Sequence, residues 1–248
     1  QRLDQLLVQR GLAASRTEAQ RLIRAGSVRR GDERLTKPGF SIDESDALRI
    51  DEPPRFVSRG GWKLQGALDA FSIDVTGRVC LDLGASTGGF TDCLLQAGAA
   101  RVMAVDVGRG QLHWNLRNDD RVTVLEKVNA RYLEPDDLPE TAAFCAIDVS
   151  FISLEKILPA AVRVTAEDAR IVTLIKPQFE AGRDKVGKGG VVRDPAVHEE
   201  VIEKIRRFAE HECGLRRMGW RRSPITGPAG NVEFLALWQK IYEPSASS

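Results

Sequence analysis

The sequence lacks several features that would point to other classes of protein. No apolar run approaches the ~20 residues that span a bilayer, and the amino terminus has no apolar core of a signal peptide. The four cysteines form no Cys-x-x-Cys pair and histidine occurs only three times, so no metal site is expected. We therefore expect a monomeric, cytoplasmic protein with reduced thiols, no metal and no stable membrane association.

Charge is nearly balanced over the whole chain but not along it. The net charge is +1, yet residues 10–37 carry eight basic and three acidic side chains. Such local asymmetry is typical of a segment that binds a phosphate backbone. A solvated basic face would give the same pattern, so charge alone leaves both interpretations open.

A glycine-rich turn at residues 84–89 follows the apolar run at residues 79–83. This pattern indicates a buried parallel strand, a tight turn and a helix start, with a ligand at the carboxyl end of the strand. The turn lacks the lysine of a phosphate-binding P-loop, and it has Ser86 where the dinucleotide fingerprint requires its second glycine. What remains resembles the S-adenosylmethionine loop of Rossmann-like methyltransferases, although an ordinary glycine turn is not excluded.

Two further residues are predicted to bind the cofactor from later strands. Asp106 ends the next strand, where an acidic residue of this topology hydrogen-bonds ribose hydroxyls, and Asn129 could reach an adenine edge. The full set of predicted cofactor-binding residues is Asp82, Gly84, Ser86, Thr87, Gly88, Gly89, Phe90, Asp106, Asn129 and Asp148.

Residues 1–50 are predicted to form a small domain of two helices and a hairpin or meander. The first helix ends before Gly11, and the second begins at a capping box, Ser15 to Glu18, and ends at Gly26. Together with Arg2-Leu3-Asp4, this pattern resembles the alpha-L RNA-binding fold. With basic side chains from the second domain, the predicted RNA-binding residues are Arg2, Arg10, Arg16, Arg21, Arg24, Lys37, Arg59, Lys185 and Lys188.

After a predicted proline-containing linker at residues 51–57, strands and helices alternate through residues 58–242. This order predicts an α/β fold with a mostly parallel sheet of seven strands, the last two forming an antiparallel edge. The predicted strands are 79–83, 101–105, 122–125, 143–147, 170–175, 215–220 and 231–238, with helices at 154–162 and 195–212. The basic, glycine-rich residues 182–190 suit a mobile loop over a polyanion or a plain surface loop, and residues 243–248 are predicted to be disordered.

Four charged residues, Lys63, Asp148, Lys176 and Glu233, are predicted to meet in the ligand crevice. Their order resembles the catalytic tetrad of FtsJ-type ribose 2′-O-methyltransferases, and with the amino-terminal domain the chain resembles the TlyA family. That resemblance implies S-adenosylmethionine as cofactor, ribosomal RNA or ribosomal subunits as partner, and a cytidine 2′-hydroxyl as methyl acceptor. It also implies Lys176 as base. A membrane-active haemolysin and a non-catalytic RNA-binding assembly factor remain as alternatives.

Overall fold

The computed structural model describes residues 1–51 and 54–241 and divides the chain into two compact units. The first unit ends at Arg55 and the second begins at Phe56. Residues 52 and 53 of the predicted linker and the predicted tail at residues 243–248 lie outside the described residues.

The first unit packs two helices against a small antiparallel sheet. The side chain of Ser15 caps the second helix by accepting the Glu18 amide, and the Glu18 carboxylate accepts the amide of Ala14. The strand order is β2-β1-β3, and a core that includes Leu3, Leu7 and Ile23 lies between the layers. The elements are α1 Leu3–Gln9, α2 Arg16–Arg24, β1 Val28–Arg30, β2 Glu33–Leu35 and β3 Leu48–Ile50.

The second unit is built on a seven-stranded sheet in the order β6-β5-β4-β7-β8-β10-β9, in which β10 runs antiparallel to both neighbours. The strands are β4 Val79–Leu83, β5 Arg101–Asp106, β6 Val122–Glu126, β7 Ala142–Ile147, β8 Thr165–Ile175, β9 Leu215–Arg222 and β10 Phe234–Lys240. The helices are α3 Gly60–Ala70, α4 Gly89–Gln96, α5 Trp114–Arg117, α6 Leu158–Arg163, α7 Pro177–Glu180 and α8 Pro195–Glu212. Short 3₁₀ turns occupy Ala130–Tyr132, Pro135–Asp137, Leu154–Lys156 and Arg183–Lys185. The predicted α/β fold with a mostly parallel sheet is therefore confirmed.

Apolar clusters cover both faces of this sheet. One face packs Trp238 and Ile171 against residues of α6 and α8, and the other packs Phe144 and Leu235 against α3 and α4. Burial on both faces explains why the parallel strands are almost continuously apolar. Because β4, β7 and β8 run parallel, their carboxyl ends lie at the same end of the sheet. The residues that follow these three strands form the site.

Some predicted boundaries were wrong. The predicted helix at residues 154–162 is a 3₁₀ turn followed by α6, whose first turn contains Pro159, a residue that has no amide hydrogen to continue a preceding helix. β8 begins at Thr165, five residues before the prediction. Glu233, predicted to lie within the last strand, precedes it, because the chain before Phe234 is held in a loop by the side chain of Asn231.

Candidate active site

The glycine-rich turn brings the carboxyl end of β4 close to the backbone that follows β7, and the start of α4 close to the start of α3. Gly84 has φ +88°, and a side chain there would place its Cβ 2.4 Å from the carbonyl oxygen of Asp148. A Cβ on Gly89 would lie 2.2 Å from Oγ of Ser58. A side chain at either position would therefore collide with a neighbouring segment, and the positive φ of Gly84 is a second reason for glycine there.

Asp82 lies beneath this turn and is completely buried. One carboxylate oxygen accepts a hydrogen bond from Oγ1 of Thr91 at 2.7 Å, and the other has no partner among the described residues. Burial raises the pKa of Asp82 to about 7, the nearby negative charge of Asp148 adding to the effect. Asp82 thus supports the loop from below and does not line the cavity above it.

The four predicted tetrad residues form two ion pairs. Nζ of Lys63 lies 2.6 Å from Oε2 of Glu233, and Nζ of Lys176 lies 2.5 Å from Oδ1 of Asp148. Lys63, Lys176 and Glu233 are all less than 10% exposed. Each buried amine is matched by one carboxylate, which offsets the cost of removing both charges from water.

Neighbouring polar groups hold each pair in place. The Glu233 carboxylate also accepts the side-chain amide of Gln178 at 3.2 Å, and Lys176 donates to Oγ of Ser150 at 2.9 Å. The ring of Phe179 lies 5.8 Å from the Lys176 amine. Since Gln178 and Phe179 belong to α7, this short helix connects the two ion pairs.

The basic loop at residues 182–190 forms part of the same site. Asn231 is buried, and its side chain accepts the amide of Val192 and donates to the carbonyl of Gly190, both at 2.9 Å. Val186, Gly189 and Gly190 line the cavity. Asn231 therefore attaches the end of the loop to the segment that carries Glu233.

These parts enclose a cavity of about 760 Å³ at the carboxyl edge of the sheet. Its volume is in the usual range of small-molecule sites, with room for a nucleoside-sized cofactor. All four tetrad side chains line it. Gly84 and Gly89 let the cofactor approach the backbone of the turn closely, and Asp148 supplies negative charge that suits a sulfonium, so the residues present fit S-adenosylmethionine.

The other predicted cofactor residues are placed in two ways. Gly84, Ser86, Thr87, Gly89 and Phe90 line the cavity, whereas Gly88, Asp106 and Asn129 are not among its lining residues. The two oxygens of Asp106 accept the amides of Ser86 and Gly108, so this residue shapes the loop. The carboxamide oxygen of Asn129 caps the 3₁₀ turn that follows it.

Some of the predicted RNA-binding residues contact other groups of the protein, and others are simply exposed. Arg2 and Arg16 are half-exposed but donate to the buried carboxylate of Asp4, each at 3.0 Å, and Lys185 pairs with Glu200 at 2.5 Å. Arg10 donates to backbone carbonyls, Arg21 lies 3.9 Å from Glu18, and Arg59 lines the cavity and donates to the carbonyl of Thr226. Arg24, Lys37 and Lys188 are exposed. Part of the basic cluster is thus used to hold the first unit together.

Ser150, Phe151 and Gln178 are among the cavity-lining residues that were not predicted from the sequence. Phe151 has φ +63° and is 90% exposed, an unusual conformation and environment for an aromatic residue. Ser150 and Gln178 could have been predicted, because polar residues that follow β7 and β8 face the ligand crevice in this fold.

Comparison with known proteins gives matches over both units. The model of the FtsJ-like methyltransferase family matches residues 56–240, and that of the S4 domain matches residues 1–48. The 16S/23S rRNA (cytidine-2′-O)-methyltransferase TlyA of Mycobacterium tuberculosis is 49% identical over all of this chain and 92% of its own. Hemolysin A of Brachyspira hyodysenteriae is 41% identical, over 95% of this chain and 98% of its own.

A solved structure from Streptococcus thermophilus, described as a hemolysin, superposes with a TM-score of 0.75 at 47% identity. The match covers 98% of this chain and 90% of that one. Within residues 1–51 and 54–241, no helix is both long and apolar enough to cross a membrane.

Proposed function

The chain belongs to the FtsJ-like methyltransferases, and within them to the TlyA family, and from this premise we propose that it methylates the 2′-hydroxyl of a cytidine in ribosomal RNA. The observation that carries the proposal is the pair of ion pairs, Lys63–Glu233 and Lys176–Asp148, in one cavity beside the glycine turn. The printed activity of the Mycobacterium tuberculosis relative, at 49% identity over the whole chain, supports the choice of acceptor.

S-adenosylmethionine is the cofactor of this family, and when bound it supplies a methyl group on a positively charged sulfur. The turn at residues 84–89 and Phe90 would hold its nucleoside and amino-acid parts. Asp148 would contribute negative charge near the sulfonium. No metal is needed for this chemistry, because the acceptor oxygen attacks carbon directly.

The remaining task of the site is to remove the proton of the acceptor. A ribose 2′-hydroxyl is a weak nucleophile at neutral pH, and a positioned base contributes roughly 10²- to 10⁴-fold to such a reaction. We assign the role of base to Nζ of Lys176, which takes up the proton of the hydroxyl as its oxygen attacks the methyl carbon. Asp148 and Ser150 orient that amine through their contacts with it.

The second ion pair positions the acceptor. Glu233 is fixed by Lys63 on one oxygen and by Gln178 on the other, so its orientation is determined from two sides. A carboxylate held in this way can orient a ribose hydroxyl for in-line attack. Alignment of two reactants is itself a large source of acceleration, about 7–11 kcal/mol in well-oriented systems.

Substitution of Lys176 tests the assignment. Lys176→Ala should lower methyl transfer to unmethylated ribosomal subunits by at least about 10²-fold and change S-adenosylmethionine affinity by less than about threefold. Lys204→Ala is the matched control, because Lys204 also pairs with a carboxylate, Glu155 at 3.0 Å, but lies outside the cavity. Near-normal transfer by Lys176→Ala would exclude Lys176 as base.

The wild-type protein tests the activity itself. Labelled S-adenosylmethionine is incubated with unmethylated subunits, and the modified nucleotide is then mapped. We expect label on the 2′-oxygen of a cytidine. Absence of label from intact protein that binds the subunits would favour a non-catalytic assembly factor.

A further inference from the structure

Strand β9 concentrates positive charge on the surface of the second unit. It has four exposed arginines within eight residues, at positions 216, 217, 221 and 222. Exposed Met218 and Trp220 lie between them, at 49% and 45% exposure. Within the described part of the chain, no carboxylate forms an ion pair with any of the four guanidinium groups. The strand therefore presents four uncompensated charges and an aromatic ring.

The sheet topology directs this strand toward the candidate active site. Among the described residues, β9 pairs only with β10 and forms the outer strand of the sheet. Because β10 runs antiparallel to both β8 and β9, the carboxyl end of β9 lies at the same edge as the carboxyl end of β8. Arg222 is paired with Phe234, the residue after Glu233, and Thr226 and Pro228 of the following loop line the cavity.

The arginines of β9 lie on both faces of the sheet along its outer strand. In the pairing register, Arg217 and Arg222 lie opposite Trp238 and Phe234, whose side chains belong to one face of the sheet. Arg221 lies opposite Leu235, which belongs to the other face. A strand of eight residues is about 26 Å long, enough to follow several nucleotides.

Charged side chains on an edge strand also prevent pairing with other strands. That role is satisfied by charges of either sign, and carboxylates or lysines would serve it as well. Here all four charges are positive, all are arginine, and they flank an exposed tryptophan. Arginine binds phosphate in a bidentate manner, and aromatic rings stack on bases, so this combination matches the chemistry of a nucleic acid strand.

We propose that β9 binds the phosphate backbone of the RNA next to the acceptor nucleotide. This inference rests on the proposed function for the kind of occupant, and it adds a second RNA-binding surface, located on the methyltransferase unit itself. The strand leads from the cavity mouth along the sheet edge. RNA bound there would be held close to the site while one nucleotide enters the cavity.

The double variant R221Q/R222Q tests the proposal in the full chain, with purified ribosomal RNA as the probe. We expect about tenfold weaker binding near 100 mM salt, and a slope of log affinity against log salt that is smaller by about 1 for each arginine removed. The matched control is R78Q/R101Q, which removes two exposed arginines at the opposite, amino-terminal edge of β4 and β5. The control should bind RNA as the wild type does, and all three proteins should bind S-adenosylmethionine equally.

An unchanged RNA affinity and salt slope in soluble R221Q/R222Q would overturn the proposal. If the glutamines cause aggregation, footprinting of the wild-type protein gives the answer without substitution. Ribosomal RNA should protect the β9 arginines, but not Arg78 and Arg101, from an arginine-selective dicarbonyl reagent, and absence of protection would also overturn the proposal. Failure of the proposed function is distinguishable, since it would appear as RNA binding without methyl transfer by the wild type.

Discussion

At the scale of single residues, Asp82 should make stability depend on pH. Its pKa is raised from 3.8 to about 7 because burial penalises the charged carboxylate. Between these two values the folded state holds a proton that the unfolded state has released. The free energy of unfolding should therefore fall as pH rises through this window, and level off above about pH 7.

Urea unfolding of wild-type and Asp82→Asn protein between pH 5 and 8 checks this expectation. The wild type should lose about 2 kcal/mol relative to the variant between pH 5 and 7, because asparagine has the shape of the protonated acid and does not ionise. Parallel pH profiles for the two proteins would show that Asp82 has an ordinary pKa in the folded state. Thr91→Val provides a control that removes the hydrogen bond and keeps the carboxylate.

The identity of the charged residues in the site followed from the sequence, but their pairing did not. Lys63 and Glu233 are separated by 170 positions, and only the fold brings them to 2.6 Å. The ion pairs of Arg2 and Arg16 with Asp4 could not be predicted either, because charge counts do not show which acidic residue is buried.

At the scale of elements, the turn between β4 and α4 should tolerate very little change. Gly84→Ala combines a strained φ of +88° with a Cβ 2.4 Å from the backbone of residue 148, so the turn must shift. We expect a loss of roughly 2–4 kcal/mol in the free energy of unfolding and at least about tenfold weaker binding of S-adenosylmethionine.

Gly77→Ala separates strain from collision in this test. Gly77 also has positive φ, +70°, but a Cβ added there would have no heavy atom within 4 Å. It should cost only about 1 kcal/mol and leave cofactor affinity unchanged. Equal effects of the two substitutions would mean that backbone strain, and not the contact with Asp148, determines the sequence of the turn.

Local signals predicted some elements well and others poorly. The bounds of α8 were predicted as Pro195 to Glu212, since Asp194 caps the helix and proline begins it. The first five residues of β8 were missed because Glu167 and Asp168 interrupt the apolar run there. Burial on both faces begins only at Ile171, where the periodicity becomes recognisable.

At the scale of the whole molecule, alternation of strands and helices predicted a mostly parallel sheet, but not the order of its strands. That order follows from crossovers that place β4 between β5 and β7, and β10 between β8 and β9. It determines that the glycine turn, Asp148 and Lys176 share one edge with the end of β9. The four arginines of β9 are visible in the sequence, but only the strand order shows that they lie beside the cavity.

The two units have separate apolar cores, and this separation makes deletion of the first unit an informative experiment. Residues 56–248 should fold alone and bind S-adenosylmethionine within about threefold of the full chain, because the cavity is lined entirely by residues of that unit. Affinity for ribosomal subunits should fall by about tenfold or more, since residues 10–37 carry eight of the basic side chains. Filter binding and calorimetry on the truncated and full chains measure both quantities. Residual, salt-dependent RNA binding by the truncated protein should weaken by about tenfold when R221Q/R222Q is added, which would assign part of it to β9. Subunit binding as tight as that of the full chain would instead remove the RNA-binding role from the first unit.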